Sequence, residues 1–256
     1  MIDTHSHLFD ESFQNDIEEC ITRCELAHVN RILLVGFSHH TNKLVQEYAK
    51  KYNLFYPTAG LHPSEASESY KRDLDKLEQF IKEHKIYAIG ECGLDYHYGK
   101  ENIQAQKELF RGQIELSIQY HLPLIIHMRD ATQDTYEILK EYSGKVFGVM
   151  HCYSGSLEMA KEFIKLGFYI SLGGPVTFKN AKESKRVAEQ IDLEYLLVET
   201  DCPYLAPTPY RGQRNESSYV KNVVAEIAKI RNMEFWEIEE ITEKNAIKLF
   251  NMEDRL

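Results

Sequence analysis

Short, nearly unbroken apolar runs recur along this chain at even intervals, and between them apolar residues return every three or four positions. The runs are IDTH (2–5), RILLVGF (31–37), FYPTAGLH (55–62), YAIGE (87–91), LPLIIH (122–127), VFGVMH (146–151), FYISLGG (168–174) and YLLVETD (195–201). Their length and their β-branched and aromatic content predict eight buried strands. The stretches 14–28, 41–52, 73–84, 104–121, 132–142, 157–166, 182–191 and 216–231 carry helical periodicity and predict crossover helices. Residues 234–250 add one or two helices more.

Eight strand-and-helix units in a chain of 256 residues predict an α/β fold, a (β/α)8 TIM barrel with extra C-terminal helix, as one domain over 1–256. An open doubly wound sheet is the alternative. Even spacing and the lack of GxGxxG after the first strand weigh against it. Two connections exceed what packing requires: 92–103, and 202–216 with its three prolines. Loops of that length inside a compact domain are usually functional.

Composition narrows the picture a little. The chain is 43% hydrophobic and 27% charged, enough for a large core. No apolar run nears the roughly 20 residues of a membrane span. The first residues lack the basic-then-apolar pattern of a leader, so a cytoplasmic protein is expected. Five cysteines, at 20, 24, 92, 152 and 202, form no CxxC pair and read as reduced, buried thiols. A net charge of −10 means that any polyanion must be met by a local basic patch or by bound cations.

The chemistry sits at the ends of the runs. Five of them finish in metal-ligand residue types: His5 with His7, Glu91, His127, His151 and Asp201; His62 ends another. In such a barrel the C-terminal strand ends ring one mouth, so these distant positions converge. Side chains alternate along a strand, so His5 and His7 point the same way. Four imidazoles and two carboxylates exceed what one tetrahedral ion needs, whereas two ions sharing a carboxylate use them all. His5, His7 and Asp201 are assigned to one ion, His127 and His151 to the other, with Glu91 bridging. Zinc, manganese, nickel or iron suits this ligand set, and magnesium less so.

Cys92, Cys152 and Cys202 each follow a proposed ligand. Alternation turns them toward the helices, where they read as small buried apolar residues. Glu199 shares the inward face with Asp201 and is expected to orient a histidine or to take a proton. Arg129, two after His127, suits a phosphate or carboxylate. Arg211, Arg214 and Lys179 are expected to add a positive rim. Tyr96, Tyr153, Tyr204 and Tyr210 lie past strand ends, where rings can stack on a base.

Taken together, DTHSHL (3–8), GLHP (60–63), AIGECGLDY (88–96), LPLIIHMRDA (122–131), HCYSGS (151–156) and VETDCPYLAP (198–207) resemble the motifs of the TatD-type metal-dependent deoxyribonucleases. These are a branch of the metal-dependent hydrolase barrels. The resemblance implies a cytoplasmic (β/α)8 enzyme that uses two divalent metal ions to hydrolyse phosphodiester bonds in DNA, often from the 3′ end of single strands. The family's ligands fall on the same six residues, its acidic residue before the last ligand on Glu199, and its third-strand histidine on His62. Asp201, Glu199 and Glu91 are then catalytic, and His62, Arg129, Tyr153, Tyr204 and Arg211 bind substrate. The chain is read as a monomer acting on DNA, with no membrane partner. Ser217 stands where the family pattern has proline. Two other readings compete: hydrolysis of small-molecule esters, lactones or cyclic amides, and a metal-binding protein without catalysis.

Overall fold

Each of the eight apolar runs contains a parallel strand in the computed structural model, which describes residues 1–97, 99 and 101–253. Tyr98 and Lys100, in the first long connection, lie outside the described residues. The strands are β1 (Ile2–Ser6), β2 (Arg31–Val35), β3 (Phe55–Thr58), β4 (Ile89–Asp95), β5 (Leu124–Arg129), β6 (Gly148–Met150), β7 (Phe168–Leu172) and β8 (Leu196–Val198). The helices are α1 (Ile17–Leu26), α2 (His39–Lys51), α3 (Tyr70–Glu83), α4 (Ile103–Tyr120), α5 (Thr132–Glu141), α6 (Leu157–Lys165), α7 (Lys182–Gln190), α8 (Val220–Arg231) and α9 (Phe235–Phe250). The C-terminal extension is therefore one long helix.

Local chemistry starts these helices where the periodicity begins. Ser38 and Thr41 exchange side chain and backbone hydrogen bonds in a capping box at α2, and Ser156 caps α6 by accepting from the Met159 amide. Ser217 opens a short 3-10 turn, Ser217–Tyr219, ahead of α8.

Strands β1 to β3 form one parallel sheet and β4 to β8 another. They meet at two seams. At one, Ser6 bridges Cys202, the His7 amide donates to Cys202 O at 2.9 Å, and the Asp201 amide donates to His5 O at 2.9 Å. At the other, Ala59 bridges Ile89, and the Gly90 and Glu91 amides donate to Ala59 O and Gly36 O, each at 2.9 Å. The result is a (β/α)8 barrel whose seams run beside His5, His7, Glu91 and Asp201.

Alternation along the strands divides the core. One set, including Ile32, Leu34, Ile126 and Met150, packs under the helices. The opposite set, including Ile2, Leu33, Val35, Ala88, Ile125, Val149, Tyr169 and Leu197, fills the interior with Ala246, Leu249 and Phe250 of α9. Asn245 of α9 donates to Leu193 O and Leu196 O at the start of β8, so this helix closes the N-terminal end. The opposite end stays open. No helix among the described residues is long and apolar enough to cross a membrane.

The strand expected at 87–91 continues through Asp95, pairing Gly93 with His127 and Asp95 with Arg129. Glycine and aspartate there look like a turn. Gly93 is instead needed for close approach: at φ +135°, a Cβ would lie 2.1 Å from His127 O.

Candidate metal centre

Two bulges aim the site. Ile2 faces the interior, so strict alternation would send His5 and His7 outward. The β1–β2 register shifts between Asp3 and Ser6, and after the shift both histidines point inward. Similarly, Ala88 faces inward and the β4–β5 register shifts between Ile89 and Cys92, which brings Glu91 inward. Extra residues of this kind re-aim side chains beside functional sites. His127 needs no such device, since it follows Ile125 by two. His151 and Asp201 lie just past the ends of β6 and β8, Asp201 with φ +57°. Asp3 pins that last segment, accepting from the Thr200 amide at 2.9 Å and its hydroxyl at 2.6 Å.

All six proposed ligands converge. His5 Nε2 and His7 Nε2 are 3.2 Å apart, and Asp201 Oδ1 lies 3.8 and 3.6 Å from them. Glu91 Oε2 is 3.6 Å from His5 Nε2 and 3.8 Å from His7 Nε2. Its other oxygen, Oε1, is 2.9 Å from His127 Nδ1 and 3.0 Å from His151 Nε2. Glu91 thus stands between two groups of potential ligand atoms. Bonds of about 2.0 Å to a tetrahedral ion place ligand atoms about 3.3 Å apart, so the first group has the spacing that a cation requires. The chemistry of the donors fits too. His7 Nδ1 donates to Val35 O at 2.9 Å and His151 Nδ1 to Glu199 Oε1 at 3.2 Å, so that each ring in its neutral form offers its inner nitrogen as a lone-pair donor. His5 Nδ1 and Glu199 Oε2 are buried without a partner.

Electrostatics bind the cluster internally. Burial alone pushes the Glu91 carboxyl up, but the charge of His151 and hydrogen bonds from His127, His151 and His5 outweigh it and hold it well below the usual range. Burial likewise opposes protonation of His151, yet Glu91 and Glu199 raise it well above an ordinary imidazole. Asp201, pushed up by burial, is brought below its normal value by His7, His151 and His5. His62 behaves differently. Burial lowers it to about 4, so it is neutral at pH 7. The Ser64 amide donates to its Nδ1 at 3.1 Å, which puts the ring proton on Nε2, 3.9 Å from Glu91 Oε1.

Above the cluster opens a cavity of about 770 Å³. His62, Arg129, Tyr153 and Tyr204 line it, as does an apolar wall of Leu172, Pro175 and Val176. Glu199 lies fully buried beneath, its Oε1 also accepting from the Cys152 amide at 2.8 Å. Several expectations need correction. Arg211 stacks on Phe178, 4.3 Å from the ring centre, and does not line the cavity. Arg214 is tied to Asp16 by two hydrogen bonds of 2.7 and 2.6 Å and caps the Phe13 ring. Neither it nor Lys179 borders the cavity, so among the described residues the positive rim reduces to Arg129. Tyr96 donates to Asp134 at 2.7 Å, and Tyr210 stacks on Tyr219 at 4.0 Å. Cys92 and Cys202 are buried, but Cys152 borders the cavity, because its φ of +44° breaks the alternation that would have hidden it.

One residue escaped the sequence reading. Asp95 also lines the cavity, with Oδ2 3.0 Å from His127 Nε2. Its signal was parity: it lies four after Glu91 on the same strand face.

A parallel barrel with buried histidines and carboxylates gathered at an open mouth defines a metal-dependent hydrolase. The chain belongs to the TatD related DNase family, whose model matches residues 2–251. It is 47% identical over 253 residues to the uncharacterized metal-dependent hydrolase YabD of Bacillus subtilis, covering 98% of this chain and 99% of that one. Among solved structures, the YjjV TatD homologue of Escherichia coli superposes with a TM-score of 0.92 at 31% identity, covering 98% of each chain. A TatD family hydrolase from Entamoeba histolytica, at 24% identity and a TM-score of 0.86 over 98% of this chain and 97% of that one, shares the fold.

Proposed function

We propose that this hydrolase cleaves phosphodiester bonds in DNA, removing nucleotides from the 3′ ends of single strands, with two divalent ions at the mouth of the barrel. The observation that carries the reading is Glu91. Its two oxygens serve two separate groups of ligand atoms on the floor of a cavity that also presents Arg129 and a neutral His62. His5, His7 and Asp201 would hold one ion, His127 and His151 the other, and Glu91 both. The description of the family as TatD related DNase supports DNA as substrate.

Ions held there would supply Lewis acidity toward phosphoryl oxygens and make a water acidic enough to attack at neutral pH. The chain's own residues do the rest. Arg129 binds a phosphate through charge-assisted hydrogen bonds, and His62 donates its Nε2 proton to a non-bridging oxygen. Asp201 accepts the proton of the attacking water. A bond forms from water oxygen to phosphorus, the phosphorus bond to the 3′ oxygen breaks, and a proton returns to that oxygen. Glu199 holds His151 in place from below. Tyr204, 56% exposed at the rim, offers a face to the neighbouring base.

The test is turnover of 3′- and 5′-labelled single-stranded oligonucleotides with added manganese, beside a panel of lactones and small esters. Stepwise loss from the 3′ end, abolished in a folded Glu91→Ala variant, is expected. Turnover of the esters alone would move the protein to another hydrolase class. Unchanged nuclease activity in the variant would refute the role of Glu91.

A further inference from the structure

Three of the four clustered histidines have their outward ring nitrogen held by an oxygen: Val35 O for His7, Glu199 for His151 and Asp95 for His127. His127 is the reverse of the other two, presenting Nδ1 inward and Nε2 outward. A neutral imidazole has one proton, so the acceptor on the outer nitrogen decides which nitrogen keeps a lone pair. We propose that Asp95 is a positioning residue that fixes His127 as the Nε2–H tautomer, so that Nδ1 stays a metal ligand beside Glu91. This rests on the metal-centre reading above.

Both Asp95 oxygens are committed. Oδ1 accepts from the His97 amide at 2.9 Å, and Oδ2 accepts from His127 Nε2 at 3.0 Å. The backbone is anchored independently: the Asp95 amide donates to Gln106 Oε1 and its carbonyl accepts from Gln106 Nε2, each at 2.9 Å. A change of side chain therefore leaves the strand in place. In Asp95→Asn one oxygen becomes an NH2 group. The His97 amide can only donate, so the remaining oxygen stays with it and the NH2 faces His127. That group can only donate as well, so Nε2 must accept and the proton moves to Nδ1, toward Glu91 and the ion. Asp95→Ala removes the bias without reversing it. The isosteric change is thus the more damaging one, the opposite of what a packing role predicts.

Two readouts on the full chain test this. Long-range ¹⁵N NMR at high pH of metal-free protein carrying Glu91→Ala, in which the carboxylate 2.9 Å from His127 Nδ1 is gone, reports the tautomer that Asp95 imposes. Calorimetric titration with manganese reports affinity. We expect Nε2–H on His127 in that background and Nδ1–H once Asp95→Asn is added. One of the two binding steps should weaken about 10–100-fold in Asp95→Asn, with Asp95→Ala in between. Retention of the Nε2–H tautomer in Asp95→Asn, or a greater loss in Asp95→Ala, overturns the assignment. If the wild type binds no manganese, the metal-centre reading fails instead, while the NMR comparison still decides what Asp95 does to His127.

Discussion

Glu91 and His127 touch across adjacent strands although they are not register partners: Glu91 Oε1 lies 2.9 Å from His127 Nδ1, while the residue paired with His127 is Gly93. The contact depends on β4 and β5 lying close where β4 has no side chain. Gly93→Ala adds a methyl 2.1 Å from the His127 carbonyl at a φ that L-residues avoid. It should destabilise the protein by about 2–5 kcal/mol and weaken metal binding with it. Chemical denaturation and metal titration of the same variant check both.

Among the described residues, Arg129 is the one arginine that lines the cavity. If it holds a substrate phosphate, Arg129→Ala should raise KM for an oligonucleotide about 10–100-fold, the equivalent of one charged hydrogen bond, with a smaller change in kcat. Arg129→Lys should recover only part, because a point charge lacks the planar fork. An unchanged KM would remove Arg129 from the substrate path.

Tyr204 makes a graded prediction. Its ring stands at the rim, 6.4 Å from that of His7. A stacked base contributes about 1–3 kcal/mol, so Tyr204→Ala should weaken oligonucleotide binding by about fivefold or more. Tyr204→Phe, which keeps the ring, should be near wild type. Equal losses in both variants would point to the hydroxyl instead of stacking.

Asp16 ties α1 to the eighth loop. Hydrogen bonds from Arg214, helped by Arg23, lower its carboxyl from 3.8 to about 2. Because the folded pKa is depressed, the contribution to stability is complete above about pH 4 and is lost as pH falls toward 2. The melting-temperature gap between wild type and Asp16→Asn should be full at neutral pH and close at about pH 2. A gap that persists at the acid end would contradict this tie.

The convergence of the six side chains was legible because each lies at or just past the end of an apolar run, and strand ends in this fold have one destination. The bulges before His5 and Glu91 were not, since register is a relation between strands and leaves no mark on either one. Asp95 was hidden by Gly93, which serves close packing but has the look of a turn residue. The eighth-loop arginines misled for a different reason: Arg214 meets Asp16, 198 positions away, and charge alone does not announce its partner. Cys152 misled because one positive φ ends the alternation that was used to bury it.

The central claim is that one carboxylate serves two ions. Equilibrium dialysis against manganese, with the bound metal counted by mass spectrometry, tests it most directly in wild type and Glu91→Ala. The account predicts two ions per chain in the wild type and loss of tight binding at both positions in the folded variant. Saturation of the wild type at a single ion, or full occupancy without Glu91, would contradict it.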